Sequence, residues 1–261
     1  MRLICPVCGK PLEKINKEAI CENNHHFDYA KSGYLNLLVS NKKVHGDDAA
    51  MVKARSLFLN SGAYGFLRDR IAQLAAGSEV LCDLGCGEGY YTSAFDAPEK
   101  YGFDLSKDAL KHAAKHDRNT HYTIASIFRL PLPEACADVC VTCFAPLAKE
   151  EILRVLKPGG RFIFVTPGPK HLFEMKEVLY EHPYENEVSE PDTGMTLIQR
   201  EQIEQKFTCK QEELEALFAM TPYAWRTSKE DQARLKEKEQ LEITAQFIIH
   251  VYRKDIQLSD F

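Results

Sequence analysis

The chain has 261 residues, of which 44% are hydrophobic and 27% charged, and its formal net charge is −5. This composition is that of an ordinary soluble protein, and the length suits one large domain or a medium domain with a small one. No apolar run approaches the ~20 residues that a membrane-spanning helix needs, and the N-terminus MRLICPVCGK lacks the pattern of a secretory signal. We therefore expect a soluble cytoplasmic protein with no membrane partner.

The charge is uneven along the chain. Residues 1–75 hold 11 Lys and Arg against 7 Asp and Glu, whereas the remainder holds 22 against 31. A basic front third is able to face a polyanion such as RNA while the acidic remainder keeps the protein soluble. A bias of this size also arises by chance, so it identifies no partner by itself.

Four residues of metal-ligand type open the chain in the spacing C-x2-C-x12-C-x3-H: Cys5, Cys8, Cys21 and His25. Nine cysteines without an export signal favour a metal site or buried thiols over disulfides. Structural zinc takes four nitrogen or sulfur ligands in a tetrahedron, so the pattern predicts one closed zinc site without chemistry of its own. His26 competes with His25 for the fourth position. Because a segment of ~40 residues has too little core to fold alone, the metal would supply its folding energy.

Aromatic and basic residues alternate after these ligands, in HFDYAKSGYLNLL. Such a segment is able to stack nucleic-acid bases and contact phosphates, with Lys31, Lys42 and Lys43 as the candidates for phosphate. Packing within the zinc module is an equally good interpretation for Phe27 and Leu35. Both interpretations stay open from sequence.

Two amphipathic helices are predicted next. Asp47 or Asp48 is able to cap the first, and Gly77 ends the second. From Glu79 the chain alternates strands and helices, which indicates a mostly parallel sheet with right-handed crossovers. We expect helices that start at YYTSAF, follow Ser106, and end at Pro158-Gly159-Gly160. Residues 170–210 have the composition of a polar, acidic insertion, CKQEELEALFAMTPYAWR is typical of an amphipathic helix, and EITAQFIIHVYRK of a closing antiparallel strand.

The stretch VLCDLGCGEGYYT places Gly85, Gly87 and Gly89 directly after a strand. In a parallel sheet, ligands bind beyond the carboxyl ends of the strands, and glycines let the backbone approach them closely. Asp104 ends the next strand, nineteen positions after Gly85, where a carboxylate suits ribose hydroxyls. Asp83 inside the turn would repel a pyrophosphate but suits a cationic ligand such as S-adenosylmethionine.

The ordered set DLGCGEGYYT, FDLS, SIFRLP and LKPGG resembles the class I S-adenosylmethionine-dependent methyltransferases. With the zinc spacing, TPGPKHL and MTPYAWR, the whole chain resembles the bacterial 23S rRNA (guanine-N1)-methyltransferases of the RlmA type. The resemblance implies a Rossmann-like α/β fold with a mostly parallel seven-stranded sheet behind an N-terminal zinc module. It also implies methyl transfer to N1 of a guanosine in a hairpin loop of 23S rRNA, and a homodimer.

Candidate cofactor residues follow from the motifs and from the resemblance. The glycine loop and its neighbours contribute Asp83, Gly85, Gly87, Glu88, Gly89, Tyr90 and Asp104. By resemblance, Ser126 lies near the adenine, although a turn serine fits its sequence context as well. Also by resemblance, Tyr64 and His171 close over the methionine end of the cofactor; a core tyrosine and a surface histidine are the alternatives.

Methyl transfer from a sulfonium mainly requires that the two reactants be held in line. Guanine N1 carries a proton near neutral pH, so a group must accept or share it, and the sequence identifies no such catalytic residue. In CFAP, Phe144 and Pro146 are candidates to sandwich a flipped guanine, or Phe144 simply fills the strand end.

These arguments divide the chain into a zinc-binding RNA-recognition module (1–40), a helical linker (41–77) and a methyltransferase domain (78–261). Two other functions share some of these features: a methyltransferase acting on quinone-like or lipid-like small molecules, and a non-catalytic zinc-module protein that binds S-adenosylmethionine. The zinc module argues against the small-molecule enzyme, and turnover with rRNA would exclude the non-catalytic protein.

Overall fold

The computed structural model describes residues 1–39 and 46–256. Lys42, Lys43 and the predicted boundary between residues 40 and 41 lie outside the described residues. Within the described ranges, every helix is too short or too polar to cross a bilayer.

The helices are, in chain order, α1 (Ala49–Asn60), α2 (Gly65–Ala75), α3 (Lys107–His116), α4 (Lys149–Val155), α5 (Phe173–Leu179), α6 (Gln211–Ala219), α7 (Tyr223–Arg226) and α8 (Lys229–Lys236). The strands are β1 (Leu12–Ile15), β2 (Glu18–Cys21), β3 (His26–Asp28), β4 (Leu35–Asn36), β5 (Val80–Leu84), β6 (Glu99–Asp104), β7 (Thr120–Ile124), β8 (Ala137–Cys143), β9 (Leu156–Pro167), β10 (Thr196–Lys210) and β11 (Gln240–Arg253).

The main sheet has the order β10-β11-β9-β8-β5-β6-β7-β4. Strands β4 to β9 run parallel to one another, and β11 lies antiparallel between β9 and β10. The predicted mostly parallel α/β sheet is confirmed. It has an eighth strand that the sequence did not suggest, because the two-residue β4 of the N-terminal segment pairs with Thr123 and Ile124 of β7.

The N-terminal module is a three-stranded antiparallel sheet, β1-β2-β3, that packs on one face of the main sheet. Leu3, Leu12 and Ala19 of the module share a buried apolar cluster with Tyr101 and Phe103 of β6. Polar contacts hold the same junction: the Ile4 amide donates to the Pro131 carbonyl (2.9 Å), and the Arg2 guanidinium contacts Glu99 (2.9 Å). The module is therefore part of the same packed body as the sheet.

The linker forms two helices as predicted. Asp48 caps α1, since its carboxylate accepts a hydrogen bond from the Met51 amide (2.9 Å). The helix α2 ends at Ala75, and Gly77 follows with a φ of +77°. Both helices pack on the opposite face of the sheet from the zinc module, through residues such as Phe58, Leu67 and Ile71.

The helix predicted at YYTSAF is wrong: only a single 3-10 turn forms, over Thr92–Ala94. The Thr92 side chain turns inward to the Asp83 carboxylate, and Pro98 disfavours helical backbone at Ala97, which limits how far a helix could extend. The helix predicted to end at Pro158-Gly159-Gly160 ends instead at Val155. The strand β9 begins at Leu156, which is fully buried.

The predicted insertion over residues 170–210 is partly wrong. The segment 196–210 is β10, a fifteen-residue strand that pairs with nearly the whole of β11. Half-buried and exposed residues alternate along it, because one face packs on the protein and the other faces water. Its abundant Gln, Glu and Lys belong to that exposed face and to its position as the edge strand of the sheet formed by the described residues.

The loop after β5 packs tightly against the loop after β8. Gly85 has a φ of +80°, and a Cβ atom placed on it would lie 2.5 Å from the Cβ of Ala145. Gly62, with a φ of +84°, provides a matched position, because a Cβ there would have no heavy atom within 4 Å.

We expect Gly62→Ala to cost about 1 kcal/mol of folding stability, since an L-residue is strained at positive φ. Gly85→Ala should cost about 1–3 kcal/mol more, because the added methyl group overpacks the contact with Ala145. Urea unfolding of the two ligand-free variants measures the difference. Equal losses of stability in the two variants would contradict the prediction. They would show that the loops after β5 and β8 can move apart without cost to make room for the added methyl group.

Candidate cofactor and zinc sites

Asp104 is held at the end of β6 by two backbone amides. The Gly87 amide donates to its Oδ2 (2.9 Å), and the Ser106 amide donates to its Oδ1 (2.7 Å). Burial raises the pKa of Asp104, and these two hydrogen bonds oppose the rise. The carboxylate is therefore fixed in orientation beside the glycine loop, with lone pairs left for a ligand.

Asp83 lies at the end of β5 and is only 2% exposed. Its Oδ2 accepts a hydrogen bond from the Thr92 hydroxyl (2.6 Å). Burial, and secondarily the charge of Asp104, raise the pKa of Asp83 to about 7. An ionised Asp83 lacks a protein cation within ion-pair distance in the described ranges, so a positively charged ligand would stabilise it.

Three further polar groups beside the glycine loop have no hydrogen-bond partner among residues 1–39 and 46–256. They are Oε1 of Glu88 and the hydroxyls of Tyr90 and Tyr91, and all three atoms are buried. Buried polar atoms are normally hydrogen-bonded, so unpaired ones point to a polar ligand or to water. The acids and these unpaired atoms fit S-adenosylmethionine, which carries a sulfonium, an ammonium and ribose hydroxyls.

Tyr64 and His171 meet although they are 107 residues apart. The Tyr64 hydroxyl lies 3.4 Å from Nε2 of His171, and both rings pack on Phe247. Both residues are buried, so the alternative of a surface histidine is wrong. Burial lowers the pKa of His171 to about 3, and the imidazole is neutral at physiological pH.

Phe144 stands at the mouth of this aromatic group. It is 45% exposed, has a φ of +60°, and its ring centroid lies 5.4 Å from Phe247 and 6.4 Å from Tyr91. Pro146 is exposed two residues later. One part of the Phe144 ring therefore packs on Phe247 and Tyr91, and the other part is open to a ligand.

Ser126 follows β7 in a tight turn. Its Oγ accepts a hydrogen bond from the Phe128 amide (3.2 Å), and its carbonyl accepts one from the Arg129 amide. This is the geometry of a turn serine, and no contact of the side chain points to a ligand.

Cys5, Cys8, Cys21 and His25 come together, with all four candidate ligand atoms within 4.8 Å of one another. The Sγ atoms of Cys5 and Cys21 lie 3.5 and 3.3 Å from Nδ1 of His25, and Sγ of Cys8 lies 3.6 Å from that of Cys21. Ligands of tetrahedral zinc are separated by about 3.3–3.8 Å, as the usual Zn–S and Zn–N bond lengths require. The donor set therefore fits one structural zinc ion.

His26 does not take part in this cluster. Its Nδ1 lies 2.9 Å from Glu18 and its Nε2 lies 3.1 Å from Asn24. His25, and not His26, therefore occupies the fourth ligand position of the cluster. The base-stacking interpretation fails for Tyr34, which is buried against α3, whereas Phe27 and Tyr29 are half-buried and Lys31 is exposed.

Sequence reasoning missed four residues of this region: Arg55, Tyr91, Thr92 and Phe247. Tyr91 and Thr92 belong to GYYT, directly after the glycine loop, and their position was a usable signal. Arg55 lies on α1 and Phe247 on β11, and nothing local in their sequences indicates this site.

The pH dependence of stability tests the environment of Asp83. Because its folded pKa of about 7 lies above the ordinary 3.8, its contribution to stability is full below that ordinary value and is lost as pH rises through about 7. Asp83→Asn stays neutral, so its unfolding free energy relative to wild type should rise by about 2–3 kcal/mol between about pH 5 and about pH 8, the part of the shift that this interval covers. Urea unfolding of ligand-free protein at about pH 5 and about pH 8 gives the difference, and a constant difference would contradict the prediction.

Comparison with known proteins identifies related families for the N-terminal module and for the main sheet. Residues 3–45 match the family described as RlmA, N-terminal, and residues 82–164 match the methyltransferase domain family. The 23S rRNA (guanine(748)-N(1))-methyltransferase of Streptomyces fradiae is 36% identical over 188 residues, which are 68% of this chain and 67% of that protein. A Bacillus subtilis (strain 168) protein, provisionally named as a 23S rRNA (guanine-N(1)-)-methyltransferase, is 30% identical over 262 residues, which cover 92% of this chain and 93% of that protein.

Solved structures support the fold. The YcgJ protein from Bacillus subtilis superposes with a TM-score of 0.51 at 17% identity, covering 76% of this chain and 100% of that one. Likeness at this level of identity concerns the fold alone. The two sequence relatives above show that the chain belongs to the 23S rRNA (guanine-N1)-methyltransferase family.

Proposed function

We propose that the protein transfers a methyl group from S-adenosylmethionine to N1 of a guanosine in a hairpin loop of 23S rRNA. The observation that carries the proposal is the contact between the glycine loop and the CFAP loop at Gly85 and Ala145. This contact supports the proposal because the loop that bears Phe144 packs against the glycine loop, whose neighbouring acids would suit the cofactor. An rRNA substrate agrees with a cytoplasmic location.

The cofactor residues would act in two groups. Asp104 would accept hydrogen bonds from the ribose hydroxyls while Gly87 and Ser106 hold its orientation. Asp83 and Glu88 would face the cationic end, and the Tyr64–His171 pair would close that end of the pocket. The remaining candidates are Gly85, Gly89, Tyr90 and Ser126. Bound S-adenosylmethionine supplies a methyl group on a sulfonium, already electrophilic without activation by the protein.

The target guanine would enter between Phe144 and Pro146. A base in a folded hairpin must leave its stack to reach an enclosed site, and an exposed aromatic ring beside a proline offers it a replacement stack. Stacking of this type contributes about 1–3 kcal/mol per base. N1 must lose its proton during transfer, which requires a hydrogen-bond acceptor beside the base.

The zinc module would grip the RNA, with residues 1–40 as the recognition module, 41–77 as the linker and 78–261 as the methyltransferase domain. Its packing on the main sheet fixes its distance from the active edge. A homodimer would join two such surfaces, and Trp225, which is 71% exposed on α7, is a candidate contact. The match at residues 3–45 disfavours a small-molecule methyltransferase.

The function is tested by methyl transfer to 23S rRNA purified from a strain that lacks the enzyme, followed by nucleoside analysis. We expect 1-methylguanosine, and its absence would reject the proposal. Phe144→Ala should lower the rate of transfer to RNA by about tenfold or more, because the stacking partner of the base is lost. Ile198→Ala is the control: this residue is also 45% exposed but lies on β10, away from the site.

Cys21→Ser tests the zinc module. It removes one zinc ligand, so we expect zinc content to fall and methylation of RNA to fall much further than affinity for S-adenosylmethionine. Zinc analysis, calorimetry with the cofactor and a methylation assay measure the three quantities. Equal loss of cofactor affinity and RNA methylation would show that zinc serves folding only.

A further inference from the structure

A closed ring of contacts joins the start of α1 to the cofactor edge. The Arg55 guanidinium pairs with Asp47 (Nη2 to Oδ2, 2.6 Å) and with Glu88 of the glycine loop (Nη1 to Oε2, 3.3 Å). The Asp47 carbonyl accepts a hydrogen bond from the Ser106 hydroxyl (2.6 Å). Because Asp104 binds the amides of both Ser106 and Gly87, the ring closes through the carboxylate that would hold the ribose.

The backbone of the linker touches this edge directly. A Cβ atom on Gly46 would lie 2.7 Å from the Ser106 amide nitrogen and 2.8 Å from its Cα. Only a residue without a side chain allows so close an approach. The segment 46–48 is thus seated on the turn after β6, immediately behind Asp104.

The charges in the ring are largely removed from water. The Glu88 side chain is 5% exposed and the Arg55 side chain 21% exposed. A buried carboxylate without a partner is costly, so Arg55 is needed to keep Glu88 ionised and in place. One guanidinium serves two acids on different segments, which the planar fork of arginine allows and a lysine ammonium does less well.

We propose that Arg55 is a positioning residue of the cofactor site: by bridging Asp47 and Glu88 it latches the linker onto the turn after β6 and keeps Asp104 and the glycine loop in their binding geometry. The inference rests on the proposed function, because it assumes that this edge binds S-adenosylmethionine. Beyond the proposed function, the inference states that affinity for S-adenosylmethionine depends on the linker after the zinc module. This dependence runs through Arg55, which lies outside the methyltransferase motifs.

The test compares Arg55→Met, Arg55→Lys and Asp47→Asn in the full chain. Calorimetry with S-adenosylmethionine should show an affinity about tenfold weaker for Arg55→Met, a size typical of coupling between two sites. Arg55→Lys should recover part of the loss. In the methylation assay, KM for S-adenosylmethionine should rise while kcat at saturating cofactor stays unchanged, because the residue acts on binding geometry and not on the reacting atoms.

Asp47→Asn distinguishes two possible roles of Arg55. One is to hold the linker in place through Asp47, which is the latch, and the other is only to compensate the charge of Glu88. If the latch operates, Asp47→Asn weakens cofactor binding on its own, and the double variant Asp47→Asn/Arg55→Met is no worse than Arg55→Met. Normal affinity in Asp47→Asn beside weakened affinity in Arg55→Met would overturn the latch.

Arg70→Met is the matched control. It removes a partly exposed arginine that pairs with Glu201 (2.7 Å) between α2 and β10, away from the cofactor edge, so it should lower stability without changing affinity. Unchanged affinity in Arg55→Met, with wild type binding S-adenosylmethionine, would overturn this inference alone. Failure of the wild-type protein to bind the cofactor would instead defeat the proposed function, and the inference with it.

Discussion

The main electrostatic constraint of the site is a pair of carboxylates at the carboxyl ends of neighbouring strands, Asp83 buried in β5 and Asp104 half-buried at the end of β6. Burial raises the pKa of each. Within residues 1–39 and 46–256, neither forms a direct ion pair; the protein offers them a hydroxyl and two backbone amides. Such an arrangement costs stability in the free protein, and a cationic ligand offsets that cost on binding.

Two further features of the fold lie close to this edge of the sheet: the loop that bears Phe144 and the aromatic residues behind it. Gly85 lets the turn after β5 come close to Ala145, so the loop that bears Phe144 lies beside the acids rather than apart from them. Behind Phe144, the buried rings of Phe247, Tyr64 and His171 form a rigid support. An exposed aromatic ring on a rigid base loses little entropy when it stacks on a ligand.

Sequence alone predicted what is local and missed what is long-range. The zinc-ligand cluster could be predicted because its motif fits within a short window whose spacing follows from its chemistry, and the glycine loop and Asp104 could be proposed as a site for the same reason. The strand β10 was taken for an insertion because an edge strand with one solvated face has a polar composition. Arg55 could not be assigned, since its partner Glu88 is 33 residues away and the ring closes only when β6 and α1 meet.

The N-terminal module shows how a small metal site becomes part of a larger core. Its β1-β3 sheet is too small to be stable without metal, yet Leu3 and Leu12 are buried in the cluster that contains Tyr101 and Phe103. The segment that follows adds β4 to the edge of the main sheet, and α1 then begins at the turn that holds Asp104. The module is thereby fixed at several points to the framework that carries Asp104 and the glycine loop. A rigid connection of this kind suits an enzyme whose methyl donor and RNA substrate must be aligned to within a fraction of a bond length.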